Sequence, residues 1–139
     1  MIVSIQLISH VGARFQTPFG DRTIRFGDSA EQVCEVLGQP EDGSTDSTLY
    51  FHAACIQVHL GSSGVEFMEF GTNPTKDGVD VEWEGRNLSR MNAIECAEML
   101  MKLNDGARID ESEAPASYAF EKLGLTIWPV SYTHLTLPT

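Results

Sequence analysis

The chain has 139 residues, of which 42% are hydrophobic and 21% are charged. This length and composition predict one globular domain that buries its core without disulfide bonds. Twenty acidic residues against nine Lys and Arg residues give a formal net charge of -11. Because such a charge repels phosphate backbones and anionic membrane surfaces, we predict that neither nucleic acid nor a membrane is a partner.

The N-terminus and the cysteines bear on the compartment. Met1 to Val11 lacks the basic region and the cleavage site of a signal peptide, and no run reaches the roughly 18 to 20 apolar residues of a membrane helix. We therefore predict a cytoplasmic protein. The three cysteines, Cys34, Cys55 and Cys96, follow no Cys-x-x-Cys spacing. This pattern favours buried thiols over a disulfide framework or a structural zinc site.

The first part of the chain predicts two strands and a helix. Apolar and polar residues alternate from Val3 to Leu7, which is typical of a half-buried strand. After a polar, glycine-containing stretch, a second short strand is predicted at Thr23–Phe26. Ser29 with Gln32 forms a capping-box signature, and the helix that begins there is predicted to end at Gly38.

The middle of the chain predicts strands. Short apolar segments joined by short connections indicate an antiparallel meander, with a hairpin turn at 61–64. These strands are predicted at Leu49–Phe51, Ile56–Leu60 and Val65–Phe70. A further alternating strand covers Val79–Glu84, with Val81 and Trp83 on its apolar face.

The last part predicts a second helix and two more strands. Asn92 and Glu95 stand in capping positions of a helix that runs to about Leu103. The closing strands are predicted at Ser117–Phe120 and Leu123–Trp128. Together these elements predict an α+β fold, with an antiparallel sheet and two helices. The predicted core consists of Val33, Leu37, Ile56, Val58, Phe67, Val81, Leu100, Leu125 and Ile127.

A faint internal repeat relates the two halves. A shift of 69 residues pairs Phe51 with Phe120 and Ile56 with Leu125, while a shift of 63 aligns the two predicted helices. We therefore predict two weakly similar helix-plus-hairpin units, at about 24–70 and 89–129, within a single domain 1–129. On this interpretation the second unit is truncated and has lost at least one strand.

Four segments carry a resemblance to a known family. They are Phe26–Pro40, Ile56–Leu60, Val65–Phe70 and Gly124–Trp128, and they are similar to the phagosome assembly factor family and its short bacterial relatives. A capped helix ending in Leu-Gly-x-Pro also occurs in small outer-membrane assembly lipoproteins, but the lipobox cysteine of those proteins is absent from this sequence. The resemblance implies an α+β binding protein, with an immunity-type role as one reading, and no catalytic residue to carry over. Cys55 stands where the second unit has Gly124, which departs from the family's glycine-led strand.

The final ten residues, 130–139, resemble a translated sequencing adapter. A transposon-based adapter encodes the same ten-residue string in one reading frame, so we interpret the segment as a non-native tail. We expect it not to act as a native strand of the second unit, although an exposed sheet edge is able to accept it. We also expect its deletion to leave the melting temperature nearly unchanged.

The candidate functional surface is the polar face of the strand Val79–Glu84. Asp80, Glu82 and Glu84 are two residues apart and are predicted to share that face, spaced roughly 6.5 to 7 Å along the strand. This spacing is too wide for one calcium ion, whose oxygen ligands converge at about 2.3 to 2.6 Å. The pattern is typical of a solvated sheet face. Its functional interpretation is a docking surface for a basic protein, with no cofactor or metal.

The alternative is a small enzyme or metal-dependent protein that uses a histidine. His52, Cys55 and His59 are residue types that bind transition metals, yet the two histidines lie on opposite faces of a continuous strand. His10 is a possible base without an accompanying catalytic motif. A pocket in which a histidine meets a carboxylate would favour this alternative. The sequence predicts no oligomeric state and identifies no partner by name.

Overall fold

The computed structural model describes residues 2, 4–71, 79–111, 118–129 and 133–138. Two α-helices and two β-sheets make up this part of the chain, which confirms the predicted α+β class. The strands are β1 Ser4–Ile8, β2 Gly12–Thr17, β3 Gly20–Arg25, β4 Thr48–Phe51, β5 Ile56–Gly61, β6 Gly64–Gly71, β7 Asp80–Trp83, β8 Arg86–Asn87, β9 Ile109–Asp110, β10 Tyr118–Phe120, β11 Leu125–Pro129 and β12 Thr133–Pro138.

The first sheet has five strands in the order β3-β2-β1-β7-β8. All its pairs are antiparallel except β1 and β7, which run parallel with Ser4 opposite Asp80 and Leu7 opposite Trp83. Strand β2 is not among the predicted strands, because Gly12–Thr17 lies within a polar, glycine-containing stretch. Its Ala13 and Phe15 are nevertheless fully buried. This layer is therefore a mixed sheet, with one parallel pair among antiparallel ones.

The second sheet has seven strands in the order β4-β5-β6-β12-β11-β10-β9. Its pairs are all antiparallel, and β4, β5 and β6 form the predicted meander. Phe15 of the first sheet lies against Phe70 of the second, with ring centroids 6.4 Å apart. The two sheets therefore meet in one core.

Both helices begin where their capping residues predict. Helix α1, Ala30–Leu37, has Ser29 as its N-cap, and both hydrogen bonds of the capping box to Gln32 are present. Helix α2, Ala93–Leu103, follows Asn92, whose side chain accepts from the backbone N–H groups of Ile94 and Glu95. Within the described residues, no helix has the length and apolarity that crossing a membrane requires.

The predicted core is mostly confirmed. Seven of the nine residues are buried, namely Val33, Ile56, Val58, Val81, Leu100, Leu125 and Ile127. Leu37 is only partly buried at the edge of the core. The prediction for Phe67 is wrong, because the β5–β6 ladder shifts register between His59 and Leu60. This irregularity turns Phe67 away from the core and places Met68 and Phe70 in it.

The connection between β4 and β5 is strained. His52, Ala53 and Ala54 are consecutive and have φ values of 55°, 54° and 63°, a left-handed conformation that ordinary residues avoid. The Glu41 carboxylate accepts hydrogen bonds from the backbone N–H groups of Ala53 at 2.7 Å and Ala54 at 2.9 Å. We call residues 52–54 with Glu41 the clamped turn. Cys55 thereby follows the turn without the positive φ that Gly124 adopts in the β10–β11 connection.

The two hairpins predicted to be repeats have comparable registers. Phe51 stands opposite Ile56 in β4–β5, and Phe120 stands opposite Leu125 in β10–β11. Four residues connect the strands in each case. Their turns differ in conformation, since only Gly124 has a positive φ in the second. Common ancestry of the two units stays a hypothesis.

The final strand, β12, lies in the middle of the second sheet. It pairs with β11 on one side and with β6 on the other. The sequence instead predicts that an ordered tail adds to an exposed edge of the sheet. Because β12 pairs with two neighbouring strands, the structure predicts that deleting residues 130–139 lowers the melting temperature. This differs from the nearly unchanged melting temperature predicted from the sequence. The adapter origin of residues 130–139 stays a hypothesis, since an unrelated sequence can also form main-chain hydrogen bonds.

Candidate functional site

Strand β7 carries the first two residues of the predicted acidic surface. Val81 and Trp83 are buried, whereas Asp80 and Glu82 are half-buried on the opposite face of the strand. The Trp83 indole N–H donates to Ser9 Oγ at 2.8 Å, so its polar atom is satisfied inside the core. The packing of the apolar face therefore fixes the direction of the acidic side chains.

Asp80 has a partner within the chain. The Arg90 side chain, from the short 3₁₀ helix Leu88–Arg90, donates through Nε to Asp80 Oδ1 at 3.0 Å. The side chains are 54% exposed for Arg90 and 38% exposed for Asp80. An ion pair this exposed contributes about 0 to 1 kcal/mol, because water screens it and ordering the side chains costs entropy. Asp80 is thus partly neutralised by its neighbour.

Glu84 does not lie on the strand. It forms, with Gly85, the two-residue connection of the β7–β8 hairpin, and Trp83 stands opposite Arg86. The φ values of Glu84 and Gly85 are 50° and 76°. Two positive φ values in a two-residue hairpin loop are typical of a type I′ turn. The prediction that all three acids share one strand face is therefore wrong for Glu84.

Glu82 and Glu84 nevertheless line the same cleft. The cleft has a volume of about 200 Å³, and Gln6, Leu7, Ile8 and Gly85 complete its lining. Gln6 lies directly opposite Glu82 in the parallel β1–β7 pair. Among the described residues, neither glutamate has an ion-pair partner. The cleft thus has two carboxylates that are able to accept hydrogen bonds from a cationic group.

Two arginines lie near the acidic cleft. Arg14 lies opposite Gln6 on the far side of β1, and the Arg86 Nη1 atom donates to the Glu84 carbonyl at 3.2 Å. Two strand spacings, roughly 9.5 Å, separate the backbones of β2 and β7. This distance is close to the Debye length of about 8 Å at physiological ionic strength. The acidic surface is therefore local and is not a continuous negative stripe.

Gln6 is a part of the site that the sequence does not predict. Its position beside Glu82 depends on the parallel pairing of β1 with β7, and these strands are far apart in the chain. Local patterns carry no signal for such a pairing. The turn at Glu84, in contrast, could have been recognised from the Glu84-Gly85 dipeptide, because glycine is typical of the second position in a type I′ turn.

The histidines of the alternative function lie apart. His59 Nε2 is 3.9 Å from Glu69 Oε2, and His59 Nδ1 is 3.4 Å from Thr48 Oγ1. His10 instead lies on the β10–β11 turn, where its Nε2 atom is 3.3 Å from the Lys122 carbonyl oxygen. In the described ranges, no group of three or more His, Cys, Asp or Glu residues is placed to hold a metal ion.

His52, Cys55 and His59 lie in different environments and do not form a cluster. His52 is exposed in the clamped turn, Cys55 is partly buried, and His59 lies on β5 beside Phe67 with ring centroids 5.0 Å apart. The acidic cleft contains none of these residues. The residues with metal-binding chemistry therefore do not converge with the two free glutamates.

Comparisons with known proteins give no relative. No model of a protein family, no curated protein and no solved structure matches the chain.

Proposed function

We propose that the chain is a non-enzymatic, cytoplasmic protein-binding module that uses an acidic surface against a basic partner. The surface consists of Glu82 and Glu84 in the cleft, with Asp80 beside them. Neutralisation of a basic, toxin-like protein, as immunity proteins perform it, is one role that this surface would serve. The resemblance to the phagosome assembly factor family is consistent with a binding role.

One observation carries this proposal. Glu82 and Glu84 reach a common cleft of about 200 Å³, and neither has a cationic partner among the described residues. A lysine or arginine side chain of a partner offers the donors that two carboxylates accept. The net charge of -11 would in addition accelerate the approach of a basic protein.

Asp80 has a smaller role in this proposal than the sequence pattern indicated. Its ion pair with Arg90 offsets the repulsion among the three acids, so the cluster does not need a partner to be tolerated. Binding would require Asp80 to exchange Arg90 for a partner group of equal charge, with little net gain. We therefore assign the main electrostatic contribution to Glu82 and Glu84.

The test compares association rates of two charge-matched variants. Glu82→Gln/Glu84→Gln removes the charges of the cleft, and Glu35→Gln/Glu98→Gln removes the same charge from exposed positions on the two helices. A partner is isolated by affinity capture, and association is measured across a range of salt concentrations. We expect the cleft variant to associate roughly 3- to 10-fold more slowly at low salt, and this difference should shrink at high salt.

The control separates local from global electrostatics. Equal slowing by both variants would show that net charge alone drives association and would remove the cleft from the proposal. Unchanged rates and salt slopes in the cleft variant would return Glu82 and Glu84 to an ordinary solvated surface.

A second candidate function uses His59. Its Nε2 atom is shielded from solvent, has no hydrogen-bond partner, and lies 3.9 Å from the Glu69 carboxylate. A histidine beside a carboxylate is the arrangement of many general bases. The pair lies on the second sheet, away from the acidic cleft. A screen of hydrolase substrates with the wild type and His59→Asn would eliminate this candidate if no activity depended on His59.

A further inference from the structure

The second sheet consists of two halves that β12 joins. The halves are β4-β5-β6 and β11-β10-β9, and in the described part of the chain β12 is the strand that pairs with both. It pairs over residues 133–136 with β11 and over residues 134–138 with β6. Without β12, β6 and β11 would each present an unpaired edge, roughly 9.5 Å apart. We call the space between β6 and β11 the strand slot.

The register defines what the strand slot accepts. Position 135 stands opposite Phe70 and Ile127, and position 137 stands opposite Met68. These three neighbours are 0 to 1% exposed. Directly opposite positions in a sheet share a face, so positions 135 and 137 belong to the core face. Position 136 stands opposite Glu69 and Thr126, which are only partly buried. The slot thus favours apolar residues at two alternate positions.

Each half is attached to the rest of the molecule independently of β12. In the first half, Val65 exchanges two backbone hydrogen bonds with the β3–α1 connection, from Gly27 N at 2.9 Å and to Asp28 O at 2.8 Å. In the second half, the Ser9 hydroxyl donates to the Leu123 carbonyl at the β10–β11 turn. These contacts tie β6 to the β3–α1 connection and the β10–β11 turn to Ser9 without the help of β12. A pre-formed slot lowers the entropy that an incoming strand must lose.

We propose that the strand slot is a binding site for an extended peptide with apolar residues at two alternate positions. The peptide binds antiparallel to both β6 and β11 and is recognised mainly through its main chain. Such β-augmentation tolerates varied sequences, because backbone groups form most of its hydrogen bonds. This tolerance accounts for a sequence resembling a translated adapter in the position of β12. The proposal is independent of the acidic cleft.

The experiment uses the full chain with a specific protease site inserted within residues 130–132. After folding and cleavage, a fluorescent peptide with the sequence of residues 130–139 is added in excess. We expect the cleaved strand to remain bound through gel filtration and then to exchange with the labelled peptide, with a Kd in the micromolar range. A peptide with Thr136→Pro should bind at least about tenfold more weakly, since proline removes a ladder N–H. A Thr136→Val peptide is the matched control.

A second pair of peptides tests the apolar positions. Leu135→Asn introduces a polar group at the position paired with Phe70 and Ile127, and Thr136→Asn introduces the same group at the position paired with Glu69 and Thr126. We expect the first to weaken binding at least about tenfold and the second to weaken it far less. If both weakened binding equally, or if the proline peptide bound as well as the valine control, the proposal would be wrong.

If cleavage unfolds the chain, a refolding experiment provides the test. Residues 1–129 would then be refolded with either the proline or the valine peptide. Near-ultraviolet circular dichroism that recovers with the valine peptide alone supports the slot. Equal signals with the two peptides overturn it, as does a cleaved chain that loses its strand, keeps its fold and binds no labelled peptide.

Discussion

Glu41 stabilises the clamped turn, and removing its carboxylate tests how much of the first hairpin depends on it. The carboxylate accepts hydrogen bonds from Ala53 N at 2.7 Å and from Ala54 N at 2.9 Å. A net hydrogen bond contributes about 0.5 to 1.5 kcal/mol, and water partly replaces bonds to exposed residues such as these. We expect Glu41→Ala to lower the free energy of unfolding by about 1 to 1.5 kcal/mol.

Relieving the backbone strain of the turn should have the opposite effect on the free energy of unfolding. A non-glycine residue in the left-handed region costs about 1 to 2 kcal/mol, whereas glycine in place of alanine costs about 0.5 to 1 kcal/mol in added unfolded-state entropy. Ala53→Gly should therefore stabilise the protein by about 0.5 to 1 kcal/mol. In this glycine background, the loss caused by Glu41→Ala should become smaller, because the turn depends less on the carboxylate.

The assay is urea unfolding followed by circular dichroism. Asp42→Ala is the control, because it removes the same charge from the adjacent, exposed position. A loss of about 1 kcal/mol corresponds to a melting-temperature decrease of roughly 3 to 6 °C for a chain of this size. If Glu41→Ala and Asp42→Ala had equal effects, or if Ala53→Gly were destabilising, the clamp argument would be refuted.

Two further predictions concern the core. Leu100→Ala should lower the free energy of unfolding by about 2 to 5 kcal/mol because Leu100 is 0% exposed. Leu37→Ala should lower it less, because Leu37 is only partly buried. Urea unfolding of both variants measures the difference, and equal losses would contradict the role assigned to burial. Burial raises the pKa of the Cys96 thiol from 9.0 to about 11, so the unfolded state loses its proton first and stability should fall between about pH 9 and pH 11. The loss of stability should be at most about 1.4 kcal/mol for each pH unit. Cys96→Ala should lack this decrease when melting is measured as a function of pH. An identical pH profile in the variant would show that Cys96 does not cause the decrease.

Local signals in the sequence predicted the elements that are stabilised locally. Ser29 and Gln32 identified the start of α1, and Asn92 identified the start of α2, because capping depends on residues within one turn. The short apolar segments and short connections in 49–70 predicted the meander for the same reason. In contrast, β2 was missed although Ala13 and Phe15 alternate with polar residues, because the surrounding glycines and polar residues obscured a short pattern.

The candidate site was only partly predictable. The polar face of β7 followed from the burial of Val81 and Trp83, which alternate with Asp80 and Glu82. Its environment did not follow, because the Asp80–Arg90 pair depends on tertiary structure. The contribution of β1 to the cleft likewise requires a pairing between distant parts of the chain. Phe67 shows a related limit, since one extra residue in a ladder reverses the face of the residues that follow it.

The parallel pairing of β1 with β7 also has a consequence for folding. The chain enters the first sheet with β1 to β3, leaves it for β4 to β6, and returns only with β7, so that residue 4 pairs with residue 80. During synthesis, β1 to β3 are therefore complete before β7, and one edge of β1 has no partner until β7 emerges. Closing such a long loop slows folding. A nascent chain released before β7 would expose that edge to intermolecular pairing, so early termination should yield aggregates rather than a stable N-terminal fragment.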